Sequence, residues 1–247
     1  MTAAAAHGLR AQDIHAVLYT AYGAQGASGY EFREEMRLLL NDGWAYLGRT
    51  VAPLDLDVAA SRRLEPQHLA RWRASGRDFE LQENDAQGRP EGMWKRKSGR
   101  LLPTWPANHR LTGSYSAASF YGSVALGGTY SKTSFAFRPD GRWERIGFSR
   151  SSSASIAAQA PVGFSGGGAS VSDSSGTKSS AGGGNAGVYA SSCSSRDDGA
   201  KNRGTYRLDG MTIELKADDG PVARILCLPI DNTYDSIYIY GQSNSKK

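Results

Sequence analysis

Two glycine-rich motifs in this chain match patterns that carry chemistry in other proteins. Residues 163–167, Gly-Phe-Ser-Gly-Gly, fit the nucleophile elbow, in which a strained turn between a strand and a helix exposes a serine. In that fold the histidine partner follows the serine, whereas all four histidines of this chain precede residue 163. Residues 182–187 fit the dinucleotide fingerprint, but no strand-helix-strand pattern surrounds them. Both matches are interpreted as chance, so the sequence predicts no catalytic residue and no cofactor.

The histidines and cysteines do not have the spacing of a metal site. Two cysteines are too few for a thiolate zinc cluster, and the histidines stand far apart along the chain. The sequence therefore predicts no metal ligand and leaves open whether the two cysteines form a single bridge. The residues concerned are His7, His15, His68, His109, Cys193 and Cys227.

Residues 93–100 contain the densest mixture of basic and aromatic side chains. Such a run can stack on bases and neutralise phosphates, but Lys and Arg on an exposed edge strand also protect the edge from aggregation. The chain has 29 basic and 24 acidic residues, and this small excess favours edge protection. Nucleic acid is therefore not predicted as a partner.

Large aromatic side chains recur near the ends of the predicted strands and are the candidate ligand-binding residues. A barrel of eight or more strands can fill its interior with side chains or hold one small molecule there. Both alternatives remain open from the sequence. The candidate residues are Trp44, Tyr46, Trp72, Trp105, Trp143 and Tyr206.

A ten-residue pattern that occurs twice supplies the elements that must position these rings. Residues 72–81 and 206–215 share an aromatic-Arg pair, a Gly four positions after the aromatic, an apolar residue three positions later, and Glu-Leu. An apolar run and an Asp-Gly turn precede each copy. The spacing predicts two copies of one β module, each with a hairpin that turns at Gly76 or Gly210.

Strand alternation within the two hairpins predicts which side chains face outward. In each copy the repeated Arg and Glu fall on the same face, opposite the apolar residues. We interpret Arg73 with Glu80, and Arg207 with Glu214, as cross-strand charge pairs beside a turn rather than as catalytic groups.

The order of turns and strands resembles the modules of uncharacterised lipocalin-like bacterial proteins. The first module matches less well, because Ala70 stands where the second has Gly204. The resemblance implies up-and-down antiparallel strands closed into a barrel, and no catalytic residue comes with it. The matching segments are Phe135 to Trp143, Gly204 to Leu215, Asp219-Gly220 and Ile237 to Gly241.

Composition and turn signals favour an all-β fold. The 247 residues include 30 Gly, 12 Tyr and 5 Trp, and Gly-rich turns separate the aromatic runs. We expect an antiparallel up-and-down barrel of about 8–10 strands built from both modules, with a short helical insertion at residues 51–71. The expected parts are a disordered leader (1–11), the first module (12–115), the second (116–241) with a Gly/Ser-rich loop (151–200), and a polar tail (242–247), the modules forming one domain.

Neither a membrane span nor a signal peptide is evident in the sequence. No apolar run approaches the roughly 20 residues of a spanning helix. The first eight residues lack the basic and apolar regions of a signal peptide. The Ser, Gly and Tyr content slightly favours an exported bacterial protein, whose signal peptide is absent from this sequence, over a cytoplasmic one.

Three functional hypotheses follow. The first is a non-catalytic binding protein that takes a small apolar or amphipathic ligand into the mouth of the barrel. The second is an interaction protein in which a filled β core presents the 151–200 loop or the 93–100 strand to a macromolecule. An enzyme with an unrecognised site in the barrel is the third, because a fold alone does not exclude activity.

Overall fold

The computed structural model describes residues 8–26, 29–48, 51–123, 127–152, 167–172, 178–183, 190–196 and 199–247. The chain is all-β, with 55% of its residues in strands, and contains an eight-stranded closed antiparallel barrel beside a second, curled sheet. The predicted fold class is confirmed.

The first half of the chain forms the curled sheet. Its strands are β1 (Ile14–Gly26), β2 (Gly29–Leu40), β3 (Trp44–Tyr46), β4 (Leu69–Ser75), β5 (Asp78–Glu83), β6 (Lys95–Lys97) and β7 (Arg100–Leu101). They lie in the order β6-β5-β4-β3-β2-β1-β7. Strand β6 pairs with β5, and β7, which follows after only two residues, pairs with β1. The short segment from β6 to β7 therefore brings the two edges of the sheet together.

A short helical insertion separates β3 from β4. It consists of a 3₁₀ turn at Pro53–Asp55, the helix α1 (Val58–Leu64) and a second 3₁₀ turn at Pro66–His68. Asp57 caps α1 by accepting a hydrogen bond from the backbone N–H of Ala60 at 2.9 Å. The insertion predicted at residues 51–71 is confirmed. In the part of the chain that the structure describes, no helix is long and apolar enough to cross a membrane.

The second half of the chain forms the barrel and an extension of its wall. The strands are β8 (Gly113–Ser123), β9 (Gly127–Phe137), β10 (Arg142–Ser152), β11 (Gly167–Ser172), β12 (Lys178–Gly183), β13 (Ala190–Arg196), β14 (Arg203–Asp209), β15 (Thr212–Ala217), β16 (Val222–Pro229), β17 (Ser236–Ile239) and β18 (Gln242–Lys246). The barrel runs β10-β14-β15-β16-β17-β18-β8-β9 and closes where β9 pairs with β10. Strands β13, β12 and β11 continue from the far half of β10.

The two halves do not share one barrel wall, which differs from the expectation that both modules together build it. All eight barrel strands begin at Gly113 or later, and the strands before Leu102 belong to the curled sheet. The predicted boundary at residues 115 and 116 therefore falls inside β8. Sequence alternation shows which residues face inward, but it does not show which distant strand will close a sheet.

Two segments predicted to lack regular structure contain strands. The described parts of the 151–200 loop form β11, β12 and β13, and the 242–247 tail forms β18, so both expectations need correction. Both were judged from their polar composition. Backbone N–H and C=O groups can nevertheless extend an existing sheet edge, and the edges here are β10 and β17.

Residues before β1 are also held in place. The N–H of Leu9 donates to the carbonyl of Pro53 at 2.8 Å, and its side chain packs against the core. The disordered leader expected for residues 1–11 is therefore corrected from Gly8 onward, and residues 1–7 lie outside the described part.

A hydrophobic core and a buried carboxylate join the curled sheet to the barrel. Glu34 accepts one hydrogen bond from the Tyr19 hydroxyl and another, at 2.9 Å, from the backbone N–H of Ser243 on β18. The apolar contact includes Val17, Met36, Leu38, Leu40 and Tyr46 from the curled sheet, and Met211, Leu226, Leu228 and Tyr238 from the barrel.

The hairpins that contain the repeated pattern, residues 72–81 and 206–215, are called the signature hairpins, and they have the same local geometry. Gly76 and Gly210 each occupy the first position of a two-residue turn, with φ of 65° and 56°. Each hairpin also contacts the preceding Asp-Gly turn through a backbone hydrogen bond. Trp72 N–H donates to Gly43 at 3.0 Å, and Tyr206 N–H donates to Gly141 at 2.8 Å. The turn positions expected from the sequence are confirmed.

Candidate functional site

The described part of the barrel interior is packed with side chains. Its buried core consists of Trp105, Leu111, Tyr115, Phe135, Phe137, Trp143, Ile213, Leu215, Cys227, Ile237 and Ile239. The indole N–H of Trp105 donates to the Cys227 carbonyl at 2.9 Å, and the Tyr115 hydroxyl donates to the Tyr234 carbonyl at 3.0 Å. Of the two alternatives for the interior, the described core supports packing.

Cys227 is a free thiol inside this core, and burial raises its pKa above the ordinary value. The side chain of Cys193 lies outside the described part. A thiol with a raised pKa and no contact with solvent is a packing group rather than a nucleophile.

The six candidate rings lie in different environments rather than around one cavity. Trp105, Trp143 and Tyr206 belong to the barrel core or its rim, whereas Tyr46 is buried between the two sheets. Burial, together with the charge of Glu65 and a hydrogen bond to it, raises the pKa of Tyr46 to about 12.

Trp44 and Trp72 lie on opposite faces of the curled sheet. The guanidinium groups of Arg71 and Arg62 lie over the Trp44 ring, 3.8 and 4.7 Å from its centre. The Trp72 indole N–H donates to the Leu40 carbonyl at 2.8 Å, and its ring packs inside the curl. Neither ring contributes to the barrel's mouth.

A cleft of about 550 Å³ lies at one end of the barrel, between the segment after Trp105 and the tip of the second signature hairpin. Its size falls in the ordinary range for a small-molecule site. It brings together two of the six candidate rings, Trp105 and Tyr206. The lining residues are Trp105, Pro106, Ala107, Asn108, His109, Arg110, Tyr206, Arg207, Leu208, Asp209 and Gly210.

Two rings that line one wall of the cleft, Trp105 and His109, belong to a cluster of three rings completed by Tyr234, which is not a lining residue. His109 lies 4.8 Å from Trp105 and 4.7 Å from Tyr234, and the Trp105 and Tyr234 rings are 5.5 Å apart, measured between ring centres. The loop that carries Tyr234 is fixed by Asp231, whose Oδ1 accepts hydrogen bonds from the hydroxyl and N–H of Thr233. Burial lowers the pKa of His109, so its imidazole is neutral at pH 7.

The opposite wall combines a fixed ring with an exposed guanidinium. The Tyr206 hydroxyl donates to the Leu111 carbonyl at 2.8 Å, and burial raises its pKa. The side chain of Arg207 is 76% exposed, and its nearest carboxylate in the described structure is Asp209, at 4.0 Å. The expected partner Glu214 is instead bound by Arg224 at 3.1 Å. The cleft therefore offers aromatic faces beside a guanidinium whose only ion pair in the described structure is long.

Sequence reasoning did not identify His109 and Arg207, which line the cleft, or Tyr234, which contacts His109. His109 had no metal-ligand spacing, Tyr234 is distant in sequence, and Arg207 was interpreted as half of a charge pair. The exposure of Arg207 depends on Arg224, a residue of the neighbouring strand β16. No signal within the hairpin itself could have shown this competition.

The basic run at residues 93–100 forms β6, β7 and the approach to them. Met93 is 85% exposed, and Arg73 lies over the Trp94 ring, 4.4 Å from its centre. Arg96 pairs with Asp78, and Lys97 pairs with Glu83 at 3.3 Å. Paired charges on a short strand agree with the edge-protecting interpretation.

The remaining motifs give no catalytic arrangement. Residues 163–166 and 184–187 lie outside the described part, while Gly182 and Gly183 are in β12. Within the described residues, no group of three or more His, Cys, Asp or Glu side chains is placed to hold a metal ion.

Comparison of the chain with models of protein families, with curated proteins and with solved structures gave no match, so the geometry of the cleft is the basis for a functional proposal.

Proposed function

We propose that this protein is a non-catalytic binding protein, a lipocalin-like barrel in a chain of two repeated β modules, that takes a small amphipathic molecule at the barrel's mouth. The cleft between Trp105 and Arg207 is the observation that carries the proposal. Because the described part of the barrel interior is packed with side chains, the ligand would lie across this end of the barrel rather than within that core.

The lining of the cleft indicates the chemistry of this ligand. The Trp105 and Tyr206 rings can contact an apolar or aromatic group, and the neighbouring Arg207 can bind a carboxylate or sulfonate. Asp209 competes for Arg207 only at 4.0 Å, which is long for an ion pair between exposed groups. An aromatic or apolar molecule with one acidic group fits both walls.

Titration with 1-anilinonaphthalene-8-sulfonate, an amphipathic aromatic anion, tests the proposal. We expect saturable binding with one site per chain, and about tenfold weaker binding by Arg207→Met, because a charge-assisted hydrogen bond is lost. Arg73→Met is the matched control, since it removes the Arg at the same position of the other hairpin and should leave binding unchanged. Mass spectrometry of molecules retained from a metabolite extract would then identify natural ligands.

Unsaturable binding, or equal binding by the two Arg variants, would contradict the proposal. Near-UV circular dichroism of each variant separates a lost contact from a loosened core, because this probe also binds partly unfolded proteins.

A second candidate function is presentation of the basic strand at residues 93–100 to a macromolecule. It is favoured by the exposed Met93 next to Trp94, an apolar pair beside paired charges. If this is the function, Met93→Ser should weaken capture of a macromolecular partner and leave probe binding in the cleft unchanged.

A further inference from the structure

A buried arginine occupies an interior position of the curled sheet. The structure pairs Leu18 with Arg37 in the curl and Tyr115 with Phe135 in the barrel, and Arg37 and Phe135 each stand six residues before the turn glycine. Phe135 is fully buried in the barrel core. The Arg37 side chain is only 6% exposed, so a guanidinium takes the place that an aromatic ring fills in the other half.

One nitrogen of this guanidinium has no partner within the described structure. Arg37 Nη2 donates to Glu35, but Nη1 is buried and has no hydrogen-bond partner among the described residues. A buried donor without an acceptor is costly, and burying a guanidinium at an interior position costs more than burying a ring. Elsewhere the interior of the curled sheet holds apolar side chains, including the Trp72 and Phe79 rings, so packing alone does not account for a charged side chain at position 37.

Arg37 lines a cavity of about 200 Å³ at the polar end of the curl, together with Glu35, Met36, Leu47 and Glu83. At about 30 Å³ for each water molecule, this space holds a few waters or one small molecule. Lys97 lies at the same end and pairs with Glu83 at 3.3 Å.

Both carboxylates at this end take part in ion pairs, Glu35 with Arg37 and Glu83 with Lys97. Glu35 accepts from the Tyr22 hydroxyl at 2.6 Å through one oxygen and from Arg37 through the other. Burial acts to raise the pKa of Glu35, but the Tyr22 hydrogen bond and the charge of Arg37 outweigh it and lower the pKa. Glu83 is bound by Lys97 through Oε1 at 3.3 Å.

The balance of charges narrows the ligand class. The ion pairs at the cavity match Arg37 with Glu35 and Lys97 with Glu83, and Arg33, whose charge also acts on Tyr22, is not one of the lining residues, so a simple anion would add an uncompensated charge to this half-buried site. A zwitterion adds none. Its carboxylate can accept from Arg37 Nη1, and its ammonium can donate to Glu83.

We propose that the polar end of the curled sheet is a second binding site, separate from the cleft of the barrel, and that it holds a small zwitterion of the α-amino acid type between Arg37 and Glu83. Small side chains are preferred, because the cavity is about 200 Å³.

Calorimetric titration of the whole chain with glycine, alanine and serine tests the site, with acetate and ethylamine as probes that carry only one of the two charges. The zwitterions should bind with one site per chain, and each single-charge probe should bind at least about tenfold more weakly. Serine should also shift the guanidinium NMR resonances of Arg37.

Paired substitutions test whether zwitterion binding depends on Arg37 rather than on ion pairs elsewhere in the same sheet. Arg37→Met together with Glu35→Gln removes the donor without leaving an unpaired carboxylate, and binding should fall by about tenfold or more. Arg73→Met together with Glu80→Gln is the matched control, since it removes an Arg-Glu pair from the outer face of the same sheet and should not alter binding. Arg207→Met, which tests the cleft, should leave zwitterion binding intact.

Equal binding of acetate and glycine would overturn the zwitterion assignment. Absence of heat and of Arg37 resonance shifts for every amino acid tested on the unaltered chain would overturn the site itself. Neither result depends on a variant folding, and neither bears on binding of the aromatic anion in the cleft.

Discussion

The curled sheet and the barrel have side chains of different size at matched interior positions. Ala45 and Trp143 each stand two residues after a turn glycine, and each faces the strand that leads into a signature hairpin. In the curl Ala45 lies opposite Ala70, whereas in the barrel Trp143 lies opposite Gly204. In the curled sheet the two small residues adjoin the Trp72 and Phe79 rings on the same face, whereas in the barrel the large Trp143 ring lies beside a glycine. Similar strand patterns can therefore fill their interiors with rings at different positions.

Substitution of Gly204, the glycine opposite Trp143, should have the largest effect on stability. A Cβ at Gly204 would lie 1.9 Å from the Lys216 carbonyl oxygen and 2.9 Å from the Ala217 Cα, both backbone atoms of the paired strand. Gly204→Ala should therefore lower the free energy of unfolding by about 3 kcal/mol, as strained overpacking does. Chemical denaturation measures this change.

Ala70→Gly is the control at the matched position of the curl. It removes a buried methyl group and adds backbone freedom, so it should cost about 1 kcal/mol. If Gly204→Ala were no more costly than Ala70→Gly, the barrel wall would not be as tightly constrained beside Trp143 as the structure indicates.

The hairpin turns should respond alike, because their geometry is alike. Both glycines have positive φ and open surroundings: a Cβ would meet no other atom within 4 Å at Gly76, and only the Ala11 side chain, 3.9 Å away, at Gly210. Backbone strain is therefore the main cost of a substitution, and Gly76→Val and Gly210→Val should each reduce stability by about 1–3 kcal/mol. Thermal unfolding of both variants compares them, and Gly147→Val, at a strand glycine with open space, controls for the added volume. Losses as small as those of the control would remove the evidence for matched turns.

Local features of both halves were predictable because they depend on neighbouring residues. An Asp-Gly pair between apolar runs defines a tight turn, and Asp57 before an apolar segment defines a helix start. The outward position of Arg73 and Glu80 follows from strand alternation alone, and the structure confirms their ion pair at 2.6 Å.

Features that depend on distant residues were not predictable. Closure of the barrel between β9 and β10, and of the curl through β6 and β7, depends on which edges meet after the chain has folded. The cleft depends on His109 meeting Tyr234, and on Arg224 taking Glu214 away from Arg207. Strand β18 was missed because its buried Asn244 is polar, although its pairing uses the backbone.

A smaller effect, on the pH dependence of stability, should distinguish His109 beside Trp105 from His15 beside Trp72. His109 contacts both the Trp105 and the Tyr234 ring, and burial lowers its pKa below the value of about 6.5 in an unfolded chain. The unfolded chain then binds a proton more readily, so stability is fully present above that value and is lost as the pH falls below it. The melting temperature should fall less between about pH 7 and pH 5 in His109→Gln than in the unaltered protein.

His15→Gln provides the control for this measurement, because His15 is exposed and lies 4.9 Å from Trp72, measured between ring centres. Parallel pH profiles for the unaltered protein and His109→Gln would show that His109 is not desolvated by the ring stack.

The smallest expected effect is the coupling between Arg and Glu in the two signature hairpins, and it tests why only the second hairpin presents its Arg to the cleft. Double-mutant cycles with Met and Gln substitutions should give about 0.5 kcal/mol for Arg73 with Glu80, which are hydrogen-bonded at 2.7 Å across the strands. The same cycle for Arg207 with Glu214 should give a coupling near zero, although the two residues face each other in register.

The reason for this difference lies on β16, the strand that pairs with β15 of the second signature hairpin. Arg224 has a side chain only 11% exposed and binds both Glu214, at 3.1 Å, and Asp55, at 2.9 Å, so it holds Glu214 more firmly than an exposed Arg can. Replacing Arg224 with Met should then release Glu214, raise the coupling of Arg207 with Glu214 toward that of the first hairpin, and weaken binding of the aromatic anion in the cleft. Equal couplings in the unaltered hairpins would contradict this account, because Arg207 would then already be occupied and the cleft would lack its cation.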